Sequence, residues 1–361
     1  MAYNSTLEGI QALRFLAALL VVLTHATFYT SERFPELSVW WQGGSGVNIF
    51  FVISGLVMVV STTDLRRIAN GWKIFTARRL IRIVPMYWVA TSVKLAAVLF
   101  VPVLVFHSDF NLRHIISSYL FIPTVNAEGE FKPLHAVGWT LYFEMFFYAL
   151  FALALGLRAN PYWIGIVLVC FAALSPFRTP EVASTMFFDP VVLHFFAGML
   201  VIAIIVGWPT LSGYMSRRPL APALLSLIGF TLLLFWPRSM TNVPDALKTG
   251  VPATMVVLGV AWLEPLLNGR VPIWLLFLGD ASYALYLFHP FVQAVIPTTL
   301  QRIGIENVMV CVLLNVLAAI AIGAAVHVVL ERPVTRLLLK MALGDSFSAR
   351  KQARISSSSQ N

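Results

Sequence analysis

The sequence has 361 residues, of which 59% are apolar and 11% are charged. An ordinary soluble domain carries roughly 25% charged residues, and 25 Lys and Arg with 16 Asp and Glu cannot cover an apolar core of this size. A soluble globule is therefore excluded, and the lipid bilayer is the expected solvent for most of the chain. The net charge of +9 fits nucleic-acid binding only if the basic residues form one unit.

Apolar runs recur along the chain and predict an all-α polytopic membrane protein with about ten transmembrane helices. Most runs are continuously apolar over about the 20 residues of one helical crossing and do not alternate as barrel strands do. The first run lacks a small-residue cleavage pattern, so we interpret it as a retained helix. The short stretch 115–123 is expected to be interfacial or re-entrant. The runs span residues 10–30, 46–61, 83–106, 137–157, 161–176, 187–207, 220–236, 249–267, 279–297 and 307–330.

The distribution of Lys and Arg predicts that both termini are cytoplasmic. With the N-terminus inside, most basic residues fall in inner loops and the C-terminal tail, as the positive-inside rule requires. Because these charges are dispersed among many loops, we expect no nucleic-acid partner. We divide the chain into a transmembrane domain, 1–340, and a disordered cytoplasmic tail, 341–361, and expect a multi-pass protein of the bacterial inner membrane.

Two ionisable residues share one face of the first predicted helix. Arg14 and His25 are eleven residues apart, which puts them within about 20° of one stripe and roughly 16 Å apart along the axis. Because a charged Arg in a membrane helix costs roughly 2.5 to 3.5 kcal/mol, this stripe is expected to face a bundle interior or a wet cavity. The alternative is that Arg14 snorkels to the cytoplasmic headgroups while His25 satisfies a neighbouring group.

The next two segments each allow a structural and a functional interpretation. The small residues from Gly43 to Gly55, around the Phe50–Phe51 pair, favour tight helix packing over a ligand site. The basic cluster that follows, at the cytoplasmic mouth of the third helix, is either a topology signal or a phosphate clamp, because guanidinium groups hold phosphates bidentately. That cluster consists of Arg78, Arg79 and Arg82.

Polar residues also occur inside two later apolar runs. Glu144 is the acid of the fourth run, and counting from the outer end of that helix places it level with His25. A carboxylate at that depth can orient an imidazole that acts as a general base. His289 precedes a helix-kinking proline, and by itself it is as readily a packing residue. Cys170 and Cys311 lie far apart in apolar runs, so we expect no disulfide framework and no metal site.

Taken in order, these motifs resemble the acyltransferase-3 family of integral membrane proteins, which O-acylate sugars of exopolysaccharides and other cell-surface molecules. The resemblance spans residues 7 to about 333 and is most similar to the exopolysaccharide-modifying members. Asn48 departs from the acid that many relatives carry, so we assign that position no proton chemistry. The motifs that carry the resemblance are Arg14-x10-His25, Phe50 to Gly55, Arg79 to Pro85, Trp139 to Tyr148, and Ser282-Tyr283 through His289.

The resemblance implies a cytoplasmic acyl-CoA donor, with acetyl-CoA as the first expectation, and a glycan or lipid-linked oligosaccharide acceptor at the outer side. One inward-opening cavity is expected to join the two substrates in a membrane lipid environment. Oligomeric state and the identity of the glycan stay open. The implied roles are catalytic for His25, Glu144 and Arg14; donor-binding for Arg78, Arg79, Arg82 and Ser54; and substrate-contacting for Trp139, Tyr142, His289, Ser282 and Tyr283.

Two mechanisms and two other classes of function stay open at this level. His25 is a general base for direct transfer or carries the acyl group covalently. A transporter or flippase would explain intramembrane ionisable groups, but no repeat of the kind such proteins carry is visible. A structural or sensor protein would leave the polar motifs without a purpose. Acceptor recognition is expected in the outer loop, 107–136, through His107, Asp109, Arg113, His114, Glu128, Glu130 and His135.

Overall fold

The computed structural model describes residues 7–100, 111–236 and 244–344, and most of them are helical. Within these ranges there is no named strand, and the one β-type pairing is an isolated antiparallel bridge between Val125 and Phe131. The predicted all-α class is confirmed. Its physical cause is that a backbone in hydrocarbon must satisfy its own hydrogen bonds, which a helix does within one segment.

The first part of the chain forms mostly long helices, with one short helix before the fifth. A 3₁₀ turn, Ala136–Gly138, leads directly into that fifth helix. The helices are α1 (Glu8–Ser31), α2 (Gly46–Thr62), α3 (Gly71–Phe100), α4 (Leu112–Tyr119), α5 (Trp139–Gly156), α6 (Trp163–Ala173) and α7 (Leu193–Gly207).

The second part alternates long helices with bent pairs and ends in an amphipathic helix. A π-helical turn, His327–Glu331, joins the last two helices. The helices are α8 (Pro209–Arg217), α9 (Leu220–Phe235), α10 (Asp245–Leu267), α11 (Ile273–Asp280), α12 (Ser282–Gln293), α13 (Ile296–Arg302), α14 (Val308–Val326) and α15 (Arg332–Leu343).

The number of possible crossings agrees with a polytopic protein. By length and composition, the described residues contain 7 helices able to cross a membrane, or up to 9 if each of two bent pairs is one span. The predicted run 161–176 forms α6, whose 11 residues cover only about 17 Å, less than the roughly 30 Å hydrocarbon core. A tenth full crossing is therefore not provided by α6 alone.

Helix α1 lies at the centre of the fold, where it contacts α2, α10, α11, α12 and α14. Its N-terminus is capped by the buried Glu264 of α10, which accepts hydrogen bonds from the backbone N–H groups of Gly9 at 3.2 Å and Ile10 at 2.8 Å. Further along, Gln293 of α12 donates to the carbonyl of Val22 at 2.9 Å. These contacts fix the depth and rotation of α1, and with them the positions of Arg14 and His25.

Glycines allow the helices around α1 to approach closely. A Cβ atom at Gly46 would lie 2.1 Å from the carbonyl oxygen of Ala17, so α2 meets α1 at backbone distance. On the other side of α2, Cβ atoms at Gly55 and Gly198 would lie 2.0 Å and 1.9 Å from carbonyl oxygens of the facing helix. The interpretation of this small-residue segment as a packing surface, favoured from the sequence, agrees with these contacts.

The segment before α5 folds inward toward the centre of the bundle. His135 is buried and its Nε2 lies 2.8 Å from the carbonyl oxygen of Leu287, in the middle of α12. The hydroxyl of Thr140, in the first turn of α5, lies 3.1 Å from the hydroxyl of Tyr286. Helix α5 therefore begins beside α12, inside the protein.

Two sequence-based boundaries differ from the structure or lie beyond it. Helix α3 begins at Gly71, well before the predicted apolar run at 83, because the intervening Lys and Arg residues are good helix formers. The predicted tail begins at 341, whereas α15 continues to Leu343. The rest of that tail, 345–361, lies outside the described residues.

Candidate active site

Most of the predicted site residues line one small cavity between α1, α2, α3, α5 and α12. It encloses about 110 Å³, and its walls combine cationic, acidic and hydroxyl side chains with apolar residues of α2. We call it the arginine cavity. The predicted residues that line it are Arg14, Ser54, Arg79, Arg82, Glu144, Ser282 and Tyr283.

The guanidinium groups of the arginine cavity come from two helices. Arg14 comes from α1, and Arg79 and Arg82 lie on α3. Arg79 donates to the hydroxyl of Ser61 at 2.7 Å and lies over the ring of Tyr148, 5.8 Å from its centroid. Arg78, predicted to join them, does not line this cavity. Successive residues of a helix point in different directions, which separates Arg78 from the other two.

Hydroxyl groups of α12 complete the same wall. Ser282 lines the cavity, and its fully buried hydroxyl has no hydrogen-bond partner among the described residues. Tyr283 donates to the carbonyl oxygen of Ile83 at 2.8 Å, which ties α12 to α3. Because a buried hydroxyl without a partner is costly, Ser282 is positioned to bond a polar group that enters the cavity.

His25 lines a second, larger cavity. This cavity encloses about 710 Å³, within the roughly 300–1,000 Å³ typical of small-molecule sites, whereas the arginine cavity is below that range. We call it the histidine cavity. Its lining combines aromatic rings with amides and charges, including Tyr29, Trp41, Lys94, Asn111, His114, Asn126, Glu128, Glu130, Lys132, His135 and Phe291.

The segment 111–137 supplies much of the histidine cavity. His114, Glu128, Glu130 and His135, predicted to recognise an acceptor, all line it. Lys132 lies 2.6 Å from the Glu130 carboxylate, and this hydrogen bond lowers the pKa of Glu130 from its ordinary value. Arg113 does not line the cavity. His107 and Asp109 lie outside the described residues.

The predicted pairing of Glu144 with His25 is wrong. Glu144 accepts a hydrogen bond from Tyr148, one turn along α5, and lines the arginine cavity. His25 contacts His289 instead, with its Nδ1 2.8 Å from Nε2 of His289. The depth count failed because α5 begins inside the protein, beside Tyr286, so Glu144 lies deeper than its distance from the helix end suggests.

The single cavity expected to join both substrates is also not observed. The two cavities share no lining residue. At the boundary, the Tyr286 hydroxyl donates to the carbonyl oxygen of Val137 at 2.8 Å and lies 3.1 Å from the Thr140 hydroxyl. Tyr286 and Thr140 line the arginine cavity, whereas Val137 lines the histidine cavity. This hydrogen-bonded partition separates them.

Three residues assigned to substrate contact line neither cavity. Trp139 packs edge-on against Phe51, with ring centroids 6.5 Å apart. Tyr142 is buried in the apolar core. His289 is fully buried between α12 and α1. Their motifs were recognisable, but the direction in which each side chain points depends on helix rotation, which the motifs do not encode.

Comparison with known proteins agrees with these motifs. A family model described as an acyltransferase domain, Acyl_transf_3, matches residues 7–330. The chain belongs to this acyltransferase family. It is therefore an acyltransferase and an integral, multi-pass membrane protein, and the predicted family is confirmed.

One curated relative supports a more specific comparison. The chain is 37% identical over 326 residues to the exopolysaccharide production protein ExoZ of Rhizobium meliloti (strain 1021), covering 87% of this chain and 95% of the relative. No solved structure matches the chain. Membership of the acyltransferase family favours an enzyme over the transporter, flippase or sensor interpretations.

Several residues at the two cavities were not predicted. Tyr148, Tyr286 and Thr140 line the arginine cavity, and Lys94 and Lys132 line the histidine cavity. The tyrosines lie inside the recognised motifs, so their polar ends in apolar runs were the available signal. Among the described residues, no group of three or more His, Cys, Asp or Glu could hold a metal ion.

Proposed function

We propose that this acyltransferase moves an acyl group, acetyl in the first instance, from a cytoplasmic acyl-CoA to a hydroxyl of an exopolysaccharide precursor or another cell-surface glycan. The observation that carries the proposal is the arrangement along α1. Arg14 lines a cavity with other guanidinium groups, and His25, eleven residues further, lines a ligand-sized cavity of mixed polarity.

The arginine cavity suits the donor. CoA carries phosphates, and guanidinium groups bind phosphates through paired hydrogen bonds. The cavity of about 110 Å³ has room for a thioester end, so we place that end inside and the phosphates at Arg79 and Arg82. The unpartnered Ser282 hydroxyl is available to bond the thioester carbonyl or an amide of the pantetheine arm.

The histidine cavity suits a saccharide acceptor. Sugars present hydroxyl groups and weakly polar ring faces, and the cavity offers amide, carboxylate and ammonium groups beside Tyr29, Trp41 and Phe291. The relative ExoZ is named for exopolysaccharide production, which supports a glycan acceptor for this chain. Two chemically different cavities match the two chemically different substrates of such a transfer.

In the proposed reaction, the acceptor hydroxyl oxygen attacks the thioester carbonyl carbon while the His25 imidazole takes the hydroxyl proton. The C–S bond breaks, and the CoA thiolate leaves and recovers the proton from His25. A covalent path through acyl-His25 would instead release free CoA and retain acyl label before any acceptor binds. Either path requires the thioester to pass the partition at Tyr286, so the hydrogen bonds of Tyr286 to Val137 and Thr140 must open during turnover.

The orientation in the bacterial inner membrane is part of the proposal. Both termini are assigned to the cytoplasm because the basic loops then face inward. An even number of crossings is required, so this orientation counts α6 and its flanking turns as a short crossing. The arginine cavity then opens toward the cytoplasmic acyl-CoA, and the histidine cavity lies toward the outer side.

The test uses purified protein in lipid nanodiscs with radiolabelled acetyl-CoA and lipid-linked oligosaccharides from the host. We expect wild-type protein to label the oligosaccharide and release free thiol. His25→Ala should lower transfer by roughly 10²- to 10⁴-fold, the usual contribution of general acid–base catalysis. A folded His25→Ala protein that transfers acyl groups at the wild-type rate would overturn the assignment of His25. Wild-type protein that labels no acceptor with any acyl-CoA tested would overturn the proposal that acyl-CoA is the donor.

A further inference from the structure

His25, on the wall of the histidine cavity, and the buried His289 behind it form a directed hydrogen-bonded chain. Nδ1 of His289 lies 3.0 Å from the carbonyl oxygen of Leu285, one turn earlier in α12. Nε2 of His289 lies 2.8 Å from Nδ1 of His25. The ring centroids are 4.8 Å apart at an angle of 40°. Both nitrogens of His289 are therefore engaged, one with α12 itself and one with α1.

The carbonyl of Leu285 determines which nitrogen of His289 carries the hydrogen. A carbonyl oxygen can only accept, so Nδ1 of His289 must donate to it. His289 is fully buried, and among the described residues no carboxylate is hydrogen-bonded to either ring. An imidazolium buried without a counter-charge is costly, so the neutral ring is favoured, and its Nε2 then carries a lone pair.

The hydrogen bond between the two rings determines in turn which nitrogen of His25 carries the hydrogen. Because Nε2 of neutral His289 can only accept, Nδ1 of His25 must donate to it. A neutral His25 then has its lone pair on Nε2. In the described part of the chain, that atom has no protein hydrogen-bond partner, and His25 is only half-buried, on the wall of the histidine cavity.

We propose that His289 is a positioning residue that holds His25 in its Nδ1–H form, so that Nε2 of His25 is the atom that meets the acceptor hydroxyl. The proposal rests on the proposed function for its catalytic consequence, but not for the hydrogen-bonded form itself. It corrects the prediction that His289 contacts substrate. The role that a carboxylate plays for a catalytic histidine in many hydrolases is here taken by an imidazole anchored on a backbone carbonyl.

The arrangement also stabilises the protonated form of His25 that arises during the reaction. When Nε2 of His25 takes the hydroxyl proton, the ring becomes cationic with hydrogens on both nitrogens. His289 still accepts from Nδ1, and a hydrogen bond from a charged donor is stronger than one from a neutral donor. His289 thus supports the ring through the whole proton transfer without touching the substrate.

Two substitutions at 289 separate positioning from packing. His289→Gln keeps an oxygen acceptor about as far from the backbone as Nε2, whereas His289→Phe fills the space and offers no acceptor. We expect His289→Phe to lower kcat by roughly 10- to 100-fold with an unchanged KM for acyl-CoA, because the donor cavity is separate. His289→Gln should recover most of that loss. Equal losses in both variants, or wild-type kcat in His289→Phe, would overturn the proposal.

A spectroscopic readout makes the result independent of activity. The chain has 7 histidines, and solid-state NMR of ¹⁵N-histidine-labelled protein in lipid distinguishes protonated from unprotonated ring nitrogens, with His25→Gln assigning the signals. In wild type we expect His25 to be protonated at Nδ1 and unprotonated at Nε2. In His289→Phe we expect the distribution of protons between these two nitrogens to change. A wild-type signal from His25 protonated at Nε2 would refute the positioning role even if transfer is normal. The expected signal in a protein that transfers no acyl group would refute the proposed function alone.

Discussion

The arginine cavity and the histidine cavity differ in construction as well as in chemistry. The arginine cavity is small and lined by five helices that meet at close range. The histidine cavity is more than six times larger by volume, 710 against 110 Å³, and much of its wall is the segment 111–137. Loop-built walls vary around a fixed scaffold. Under the proposed function, this difference favours the arginine cavity for the acyl-CoA donor and the histidine cavity for the glycan acceptor.

The largest effect that separates the cavities is expected from Arg82→Gln. Its guanidinium lines the arginine cavity, and a hydrogen bond to a charged group contributes roughly 1.5–3 kcal/mol. We expect a 10- to 100-fold rise in the KM for acyl-CoA, with little change in the KM for the acceptor, measured by steady-state kinetics on purified protein.

Arg78→Gln is the matched control for this prediction. Arg78 carries the same charge on the same helix but does not line the cavity. Its substitution should leave the KM for acyl-CoA close to the wild-type value. Equal effects of the two substitutions would mean that the basic cluster acts through its total charge and that the arginine cavity does not hold the donor.

A second comparison concerns the packing that fixes α2 beside α1. Gly46→Ala would place a Cβ atom 2.1 Å from the Ala17 carbonyl oxygen, and forcing extra atoms into a packed interior costs roughly 1–3 kcal/mol. We expect a clearly lower melting temperature in detergent, as measured by the change of intrinsic fluorescence on heating. At Gly44 a Cβ atom meets nothing within 4 Å, so Gly44→Ala should melt as wild type does. Equal stability of both variants would show that the helices can separate without cost.

A third, smaller effect, on the rate of acyl transfer, is expected from a substitution in the partition at Tyr286. Tyr286→Phe keeps the ring but removes the hydroxyl that is hydrogen-bonded to Val137 and Thr140. Each of these hydrogen bonds contributes about 1 kcal/mol to the stability of the closed partition. If the partition opens in every turnover, transfer at saturating donor should rise several-fold, as measured in single-turnover experiments. A fall in rate with unchanged stability would instead indicate that the hydroxyl takes part in the chemistry.

The smallest effect is expected from Glu130→Gln in the loop before α5. The Glu130–Lys132 ion pair is substantially exposed, with 46% and 39% of the side-chain surface accessible, so solvent screening limits it to roughly 0–1 kcal/mol. Lys132 lowers the folded-state pKa of Glu130, so the stabilisation is present above the ordinary carboxyl pKa and disappears as pH falls through the lowered value. Melting curves at neutral and acidic pH test this. A stability difference that grows on acidification would contradict it.

The sequence predicted the helices well because lipid leaves few alternatives. Runs of about 20 apolar residues have to satisfy their own backbone in the bilayer, and the described parts of the predicted runs are largely helical. Their ends were harder to predict. Apolar runs alone miss the start of α3 at Gly71, because the Lys and Arg residues of its first turns are polar although they are good helix formers. The 70° bend between α11 and the following helices depends on tertiary contacts, which residue composition does not report.

The sequence named several residues that line the two cavities, but it paired Glu144 with the wrong partner. Spacing along one continuous helix placed Arg14 and His25 correctly at two depths, because the helical rise is fixed. The partner of His25 required knowledge of how α12 rotates against α1, and the position of Glu144 required knowledge that the loop before α5 folds inward. Neither is encoded in a local pattern, and so His289 was assigned to substrate and Glu144 to His25.

The most direct test of the central claim, that donor and acceptor chemistry lie in separate cavities along α1, is the affinity of purified His25→Ala protein for CoA, measured by isothermal titration calorimetry. We expect a Kd within about twofold of wild type, the usual limit for independent sites, although transfer is lost. A His25→Ala protein that no longer binds CoA would contradict the separation of the two cavities.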